Sequence, residues 1–369
     1  MRRLTVVQLL PSLHSGGVER STLEIAAALV AAGHRSIVVS AGGRLVPALL
    51  EGGSEHIELA VGRKSLGAYA VMRRLRALLV GLRPDIVHAR SRLPAWLAWF
   101  ALRGMPAPRP RFVTTVHGMN SPGRYSGIML RGQRVVCVSD SVRAHVDRHW
   151  PEADPARRVV IARGIDPQDF PRGFAPSAPW RERFAAELPA LQGGRLLLMP
   201  GRGTRLKGHA TAIELLATLR AAGEDARLWL LGADEPGREA YLAELRALAD
   251  RLGVADWLVA SAPRSDIREA YAASDLVLQL SGKPEAFGRT VVEALSIGRP
   301  VLGWDHGGVG ELLHALYPAG AVRLGDTSAL AVAARALLAA PAPMPVTIPH
   351  TLAAMQSATL ELYDRLVAD

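Results

Sequence analysis

The chain has 369 residues, 49% of them apolar and 21% charged, which excludes a disordered polypeptide and leaves room for two cores. Its formal net charge of +10 is unevenly spread: residues 1–166 carry 24 Lys and Arg against 11 Asp and Glu, whereas residues 167–369 carry 20 against 23. No run approaches the ~18–20 apolar residues of a membrane span, and the single cysteine, Cys137, excludes an internal disulfide and suits a reducing compartment.

The opening MRRLTVVQLLPSLHSGG imitates an export signal, but its apolar run includes Gln8 and stops at Pro11. It reads as a first buried strand. Gly16 and Gly17 then turn the chain into a helix over 18–32, and backbone without side chains can approach a diphosphate or sugar closely. The same pair could serve packing alone. The G-x-G-x-x-G of a dinucleotide site is missing.

A strand RSIVVSA follows. Over 63–83, Ala68, Val71, Met72, Leu75, Leu78, Leu79 and Leu82 share one helical face, and Arg73, Arg74, Arg76 and Arg83 fall off it. That pattern predicts a core-facing helix with a basic exterior, which could also rest on an anionic bilayer. The strands DIVHA, RFVTTV and RVVCVSD come next, with a helix over 94–102 between the first two; Cys137 reads as a buried strand residue. His88, Arg90 and Arg92 end the first of these strands, where Arg90 and Arg92 could read an anionic acceptor or simply be solvated. His117 directly follows the second, at a position from which an imidazole can bond a sugar hydroxyl or a phosphate. Residues 158–166 read as the last strand and exit of this half, and the proline-rich 165–179 as a linker.

Strand and helix alternate again after the linker: RLLLMPG, a helix over 209–222, RLWLLG, a helix over 238–252, WLVAS, a helix over 267–273 and DLVLQL. The loop PGRGTRLKGH lies between the first strand and helix of this half, so Arg202 and Lys207 can converge on one anion. It is not a Walker loop. Then comes SGKPEAFGRTVVEALSIGRPVLGWDHGGVGE. Glu285 and Glu293 stand eight positions apart, a helix opens at about Gly288, and Gly298 and Pro300 stop it. A strand follows, and then a second glycine turn, Gly307-Gly308. Backbone N–H groups at the helix start suit phosphate, and the two carboxylates suit hydroxyls. An amphipathic helix over 351–367 ends the chain.

In this order, SGGVER, VHG, ARGID, PGRGTRLKG and PEAFGRTVVEALSIGRPVLGWDHGGVGE resemble the retaining GT-B glycosyltransferases of group 1, or family 4. The resemblance implies an α/β fold of two doubly wound Rossmann-like domains facing each other across a cleft. Residues 1–166 would form the acceptor-binding domain and 167–350 the nucleotide-sugar-binding domain. Helix 351–369 would pack back towards the first, and closure would hinge about 163–180. Glu293 would hold ribose hydroxyls and Glu285 those of the donor sugar, with Phe287, Gly288, Arg289 and Thr290 offering backbone N–H groups. Arg202 and Lys207 would stabilise the diphosphate leaving group, Gly16 and Gly17 would close over the donor, and His117 would contact the donor sugar near its reacting carbon.

The same resemblance implies transfer from a nucleoside-diphosphate sugar, with UDP the default base, to a glycan or glycolipid. No metal or other cofactor is expected, since Arg and Lys can replace a metal and no Asp-x-Asp strand end is present. Arg289 stands where many relatives carry a small or apolar residue and Arg90 where histidine is frequent. Both would suit an acceptor bearing phosphate or acid sugars, as lipopolysaccharide core does. The expected location is the cytoplasm, at the inner face of the membrane. Rival readings are a nucleotide-sugar epimerase of the same fold and a two-lobed binding protein. Nucleic-acid binding lacks interleaved aromatics and a recognised module.

Overall fold

The structure is a computed structural model that describes residues 2–14, 16–62 and 67–368. The chain divides into two compact units, Met1–Arg163 with Leu352–Asp369, and Gly164–Thr351. The first contains β1 (Thr5–Leu9), β2 (Arg35–Ser40), β3 (Glu55–Glu58), β4 (Ile86–Ala89), β5 (Arg111–Val116), β6 (Arg134–Cys137) and β7 (Arg158–Val160). The second contains β8 (Arg195–Pro200), β9 (Ala226–Leu231), β10 (Leu258–Ser261), β11 (Leu276–Gln279), β12 (Val301–Trp304) and β13 (Ala321–Val322).

Every strand pairing is parallel. The orders are β3-β2-β1-β4-β5-β6-β7 and β10-β9-β8-β11-β12-β13. Parallel strands need helical crossovers that cover both faces, so their sequences run apolar almost without alternation, as in β9 and β12. In each sheet the order reverses once, between β1 and β4 and between β8 and β11. At such a point neighbouring crossovers go to opposite faces, and a crevice opens outside the carboxyl ends of the two strands. Both units are therefore doubly wound, as the alternating pattern predicts.

The helix Leu352–Ala368 belongs to the first unit, where Met355, Leu362, Tyr363 and Leu366 join Leu4, Val6, Ile25, Leu29, Ile86 and Val113 in one core. Two polar contacts fix its register. Gln356 Nε2 donates to the Glu24 carbonyl at 2.9 Å, and the fully buried Tyr363 hydroxyl lies 2.6 Å from His88 Nδ1. His88 Nε2 in turn meets Thr115 Oγ1 at 2.6 Å. The chain leaves this unit after Arg163 and returns at Leu352; on the second unit's side of that crossing, Ile165 and Thr351 pair as an isolated parallel bridge.

The basic helix runs Ala68–Leu82 and buries Met72, Leu75 and Leu79, the expected face; positions 63–66 of the predicted segment lie outside the described residues. Cys137 is buried, and burial pushes its thiol up to about 11. The sequence reading missed β3, whose EHIE is short and charged as edge strands often are. It also ran the linker too far, because the helix Ala178–Glu187 begins inside it, capped by Ser177. Among the described residues no helix is long and apolar enough to cross a membrane.

The Tyr363–His88 contact generates a prediction. Tyr363→Phe keeps the ring but leaves His88 Nδ1 buried without its partner. The expected cost is about 1–3 kcal/mol of stability, read as an earlier urea midpoint with unchanged slope.

Candidate functional site

In the second unit the two loops that flank the strand-order reversal are bonded to each other. The loop after β8 ends at Gly208, whose φ of +84° and position 2.0 Å (for an added Cβ) from the Leu280 carbonyl oxygen leave room only for glycine. Gly282 N donates to the Leu206 carbonyl at 2.8 Å. These backbone contacts bring Lys207 against the loop after β11, where its Nζ meets Glu285 Oε1 at 2.6 Å. Both side chains are about a quarter exposed. Ser281 Oγ also donates to Glu285 Oε1. Burial pushes the Glu285 carboxyl pKa up, but Lys207, Ser281 and Gln279 outweigh it, so the net direction is down and the group stays ionised.

The second glycine turn braces this loop from below, and it starts a helix, Gly307–Leu316. Gly308 N donates to the Glu285 carbonyl at 2.8 Å, and a Cβ on Gly308 would meet the Phe287 backbone at 2.5 Å. His306 Nε2 lies 2.7 Å from the Ser281 carbonyl. Gly288 caps the helix Arg289–Ile297 with φ +110°, so Arg289 and Thr290 supply its first turn of N–H groups, which have no acceptor within a helix. Phe287 is buried with its ring edge-to-face against His350.

Glu293 lies one turn into that helix, is buried, and accepts from the Tyr271 hydroxyl at 2.8 Å. Arg202 is exposed at the start of the β8 loop. The neighbouring Arg205 faces elsewhere, 2.5 Å from Glu244 and 5.2 Å from the centre of the Tyr241 ring.

The first unit repeats the plan at its own loops. Gly17 is the first residue of the helix Gly17–Ala31, and Gly16 its cap with φ +134°. His117 follows β5 and Arg163 follows β7. The Arg163 guanidinium, buried, donates to the Gly17 carbonyl and, at 2.6 Å, to His117 Nδ1. A guanidinium nitrogen can only donate, so His117 Nδ1 accepts and the ring proton sits on Nε2. Burial, with Arg163, Arg90 and His88 adding repulsion, holds the His117 pKa well below the usual histidine range. The ring is therefore neutral at pH 7, and its Nε2–H is a buried donor with no partner among the described residues.

Arg90 departs from its expected place as a surface reader. It is buried, with Nε donating to Gln8 Oε1 at 2.9 Å and one terminal nitrogen 3.5 Å from Ser21 Oγ. Arg92 stays half-buried, its guanidinium 5.3 Å from the Tyr125 ring centre and 3.3 Å from Ser126 Oγ. Arg163 and Tyr271 were not foreseen. ARGID marked a strand exit without saying that its arginine turns inward, and Tyr271 looked like any helix residue. No group of three or more His, Cys, Asp and Glu gathers among the described residues.

Two doubly wound units, each with close-approach glycines and charged or donating groups at strand ends, define a protein built to grip a polar, anionic small molecule. Family models agree. "Glycosyltransferase Family 4" matches residues 15–169 and "Glycosyl transferases group 1" matches 181–344, between them most of the chain. The chain belongs to this family of glycosyltransferases and has the GT-B fold. A curated relative, D-inositol 3-phosphate glycosyltransferase of Jonesia denitrificans, is 29% identical over 249 residues, which cover 61% of this chain and 56% of the relative. The chain spans about half the length of the curated relatives it matches. A solved glycosyltransferase of Rickettsia africae superposes with a TM-score of 0.84 at 27% identity, covering 100% of this chain and 99% of that one. Anabaena HepE, solved in complex with UDP and glucose, gives 0.79 at 20% identity, over 98% of this chain and 100% of that one.

The depressed His117 pKa has a measurable consequence. A group whose folded pKa lies below its unfolded value of ~6.5 contributes stability that is full above that pH and declines as pH falls below it. His117→Asn should make the stability-versus-pH curve shallower as pH falls below about 6.5, while the other buried histidines keep part of the slope. Denaturation across that window checks it; an unchanged slope would count against a neutral His117.

Proposed function

We propose that this protein transfers a sugar from a nucleoside-diphosphate donor to a glycan or glycolipid acceptor, with retention at the anomeric carbon. The observation that carries this reading is the Lys207–Glu285 pair at 2.6 Å, set at the strand-order reversal of the second unit. A diphosphate leaving group gathers negative charge as the glycosidic bond breaks. Lys207 and Arg202 meet that charge with cations, and the N–H groups at Gly288, Arg289 and Thr290 meet it with a helix start. Glu285, ionised, accepts from donor-sugar hydroxyls, and Glu293, already an acceptor for Tyr271, holds the ribose.

In this assignment the second unit carries the donor and the first the acceptor. Phe287, buried, sets the turn from Glu285 to the helix. Gly16 and Gly17 let backbone approach a bound sugar or phosphate in the first unit, and His117 offers its Nε2–H to a sugar hydroxyl. The cations take the part a metal plays elsewhere, so transfer is metal-independent. The HepE complex supports UDP as the base, and the inositol-phosphate relative supports an acceptor bearing phosphate. Lipopolysaccharide core is one glycolipid of that kind. Arg92 and Arg289 are the arginines assigned to such an acceptor; Arg90, bonded to Gln8 in the core, is not. The same reading places the protein in the cytoplasm, against the anionic inner face of the membrane.

Three measurements test this. Lys207→Ala should lower kcat about 10²–10³-fold, the typical cost of one such group, without changing the melting profile by more than a few degrees. Glu293→Gln should weaken donor binding about tenfold or more, since charged hydrogen bonds contribute ~1.5–3 kcal/mol, with a smaller change in kcat. Turnover should survive chelator. Normal rates in both variants would remove the site, and release of a rearranged nucleotide sugar would turn the reading into an epimerase.

A further inference from the structure

A closed circuit of contacts runs through Glu293 in the interior of the second unit. Tyr271 lies in the helix Ile267–Ala273, just ahead of β11, and its hydroxyl donates to Glu293 Oε2 at 2.8 Å. The Tyr271 ring meets Phe170 edge-on, with 5.9 Å between ring centres. The Phe170 carbonyl accepts from Ser296 Oγ at 2.8 Å, and Ser296 stands three residues after Glu293 on the same helix. None of the four residues is more than 7% exposed.

The circuit is anchored from outside as well. Ser274 closes the end of the Tyr271 helix, its hydroxyl donating to the Tyr271 carbonyl at 2.8 Å. Asp275 ties that end to β8: its N–H donates to the Leu196 carbonyl and its carboxylate accepts the Leu196 N–H, both at 2.8 Å. The segment carrying Phe170 is bonded to the last turn of the Glu293 helix. There Arg172 donates to the Leu295 carbonyl at 3.1 Å and Gly173 N to the Ile297 carbonyl at 3.2 Å, carbonyls whose helical partners a helix end removes.

Packing alone does not ask for a hydroxyl at position 271. A phenyl ring would fill the same space against Phe170, and a polar atom so far from water is costly unless bonded. The bond it makes is a charge-assisted one, to a carboxylate. A glutamate side chain can turn its carboxylate about the last torsion; a donor fixed on one oxygen restrains that turn. Each carboxylate oxygen still has a second lone pair to present.

We infer that Tyr271 is a positioning residue for the donor's ribose: it sets the plane of the Glu293 carboxylate, and Phe170 holds the ring behind it. A carboxylate of fixed plane meets two adjacent hydroxyls in one orientation. When one hydroxyl is missing it cannot turn to remake the lost bond, so a fixed carboxylate distinguishes a ribonucleotide from its 2′-deoxy counterpart better than a mobile one does. The inference rests on the reading of Glu293 as the group that holds the ribose. That reading does not depend on Tyr271.

The test is calorimetric titration of the full chain with whichever of UDP, GDP and ADP binds most tightly, and with the 2′-deoxy form of the same nucleotide. The unaltered protein should prefer the ribonucleotide about tenfold or more, the worth of one charge-assisted bond. Tyr271→Phe should weaken the ribonucleotide about three- to tenfold and leave the 2′-deoxy form nearly unchanged, so the preference shrinks. The kcat at saturating donor should stay within about twofold, since the leaving-group contacts are untouched. Phe170→Leu, which loosens the ring and keeps the hydroxyl, should shift the preference the same way by less, and it replaces Tyr271→Phe if that variant does not fold. Melting profiles of the same samples separate folding from binding. Equal weakening of both nucleotides, or an unchanged preference in the folded variant, would overturn the inference. Glu293→Gln tells the two readings apart. If it abolishes the preference and Tyr271→Phe does not, the inference fails and Glu293 keeps its role. If it too leaves the preference intact, or none of the three nucleotides binds, the role of Glu293 falls and the inference with it.

Discussion

An ammonium and a carboxylate held 2.6 Å apart in a partly desolvated niche organise the second unit. Burial alone would push the Glu285 carboxyl up; Lys207, with Ser281 and Gln279, reverses that, so the carboxylate stays ionised and the pair keeps its geometry before any ligand arrives. The backbone makes this possible. Lys207 reaches Glu285 because the loops after β8 and β11 touch, which Gly208 allows by having no Cβ to meet the Leu280 carbonyl, while Gly308 lets the next turn close on Phe287 from the other side. The strand order supplies the rest, since only where it reverses do adjacent loops open a crevice between them. Stabilising a leaving group, the role proposed for this pair, depends on groups fixed in advance, because reorientation during reaction would consume the advantage.

That arrangement was largely legible in the sequence. Glycines, prolines and charges marked strand ends, and the apolar runs between them were long enough to read as buried parallel strands. Lys207, Glu285 and Glu293 lie on two short segments whose local pattern fixes loop against helix. The legible part stops where side chains find distant partners. Nothing near Arg90 announces that Gln8, on another strand, will draw it into the core, and Arg163 is joined to Gly17 across 146 positions. Tyr271 likewise meets Glu293 from a different helix. The edge strand β3 escaped notice because edges carry charge where interior strands carry Val and Ile.

The carboxyl-terminal helix shows how a long-range partner shapes the first unit. Its apolar face completes a core that otherwise leaves Leu4, Ile25 and Leu29 uncovered on one side. Burying side chains of that size contributes about 1.5–3 kcal/mol each, so the helix is held mainly by area. Its one buried hydroxyl has a narrower effect: Tyr363 and Thr115 occupy both ring nitrogens of His88, which fixes that imidazole on β4.

His88 sits beside Arg90, and the consequence reaches His117. A guanidinium buried at such a position costs desolvation that Gln8 and Ser21 offset only in part, and burial lowers the Arg90 pKa accordingly. Its field pushes in one direction on both imidazoles. For His88 the downward shift comes from burial and then Arg90; for His117 it comes from burial, then Arg163, Arg90 and His88. A protonated His117 would carry an N–H on both nitrogens and repel Arg163, breaking the Arg163–His117 bond that links β7's exit to the end of β5. Burial first, and then the neighbouring cations, keep His117 neutral, and neutrality with Nδ1 occupied leaves one outcome for the proton, on Nε2. A neutral donor of fixed direction suits a hydroxyl oxygen and rejects a second cation, which is the discrimination the proposed role of His117 at a sugar hydroxyl would need.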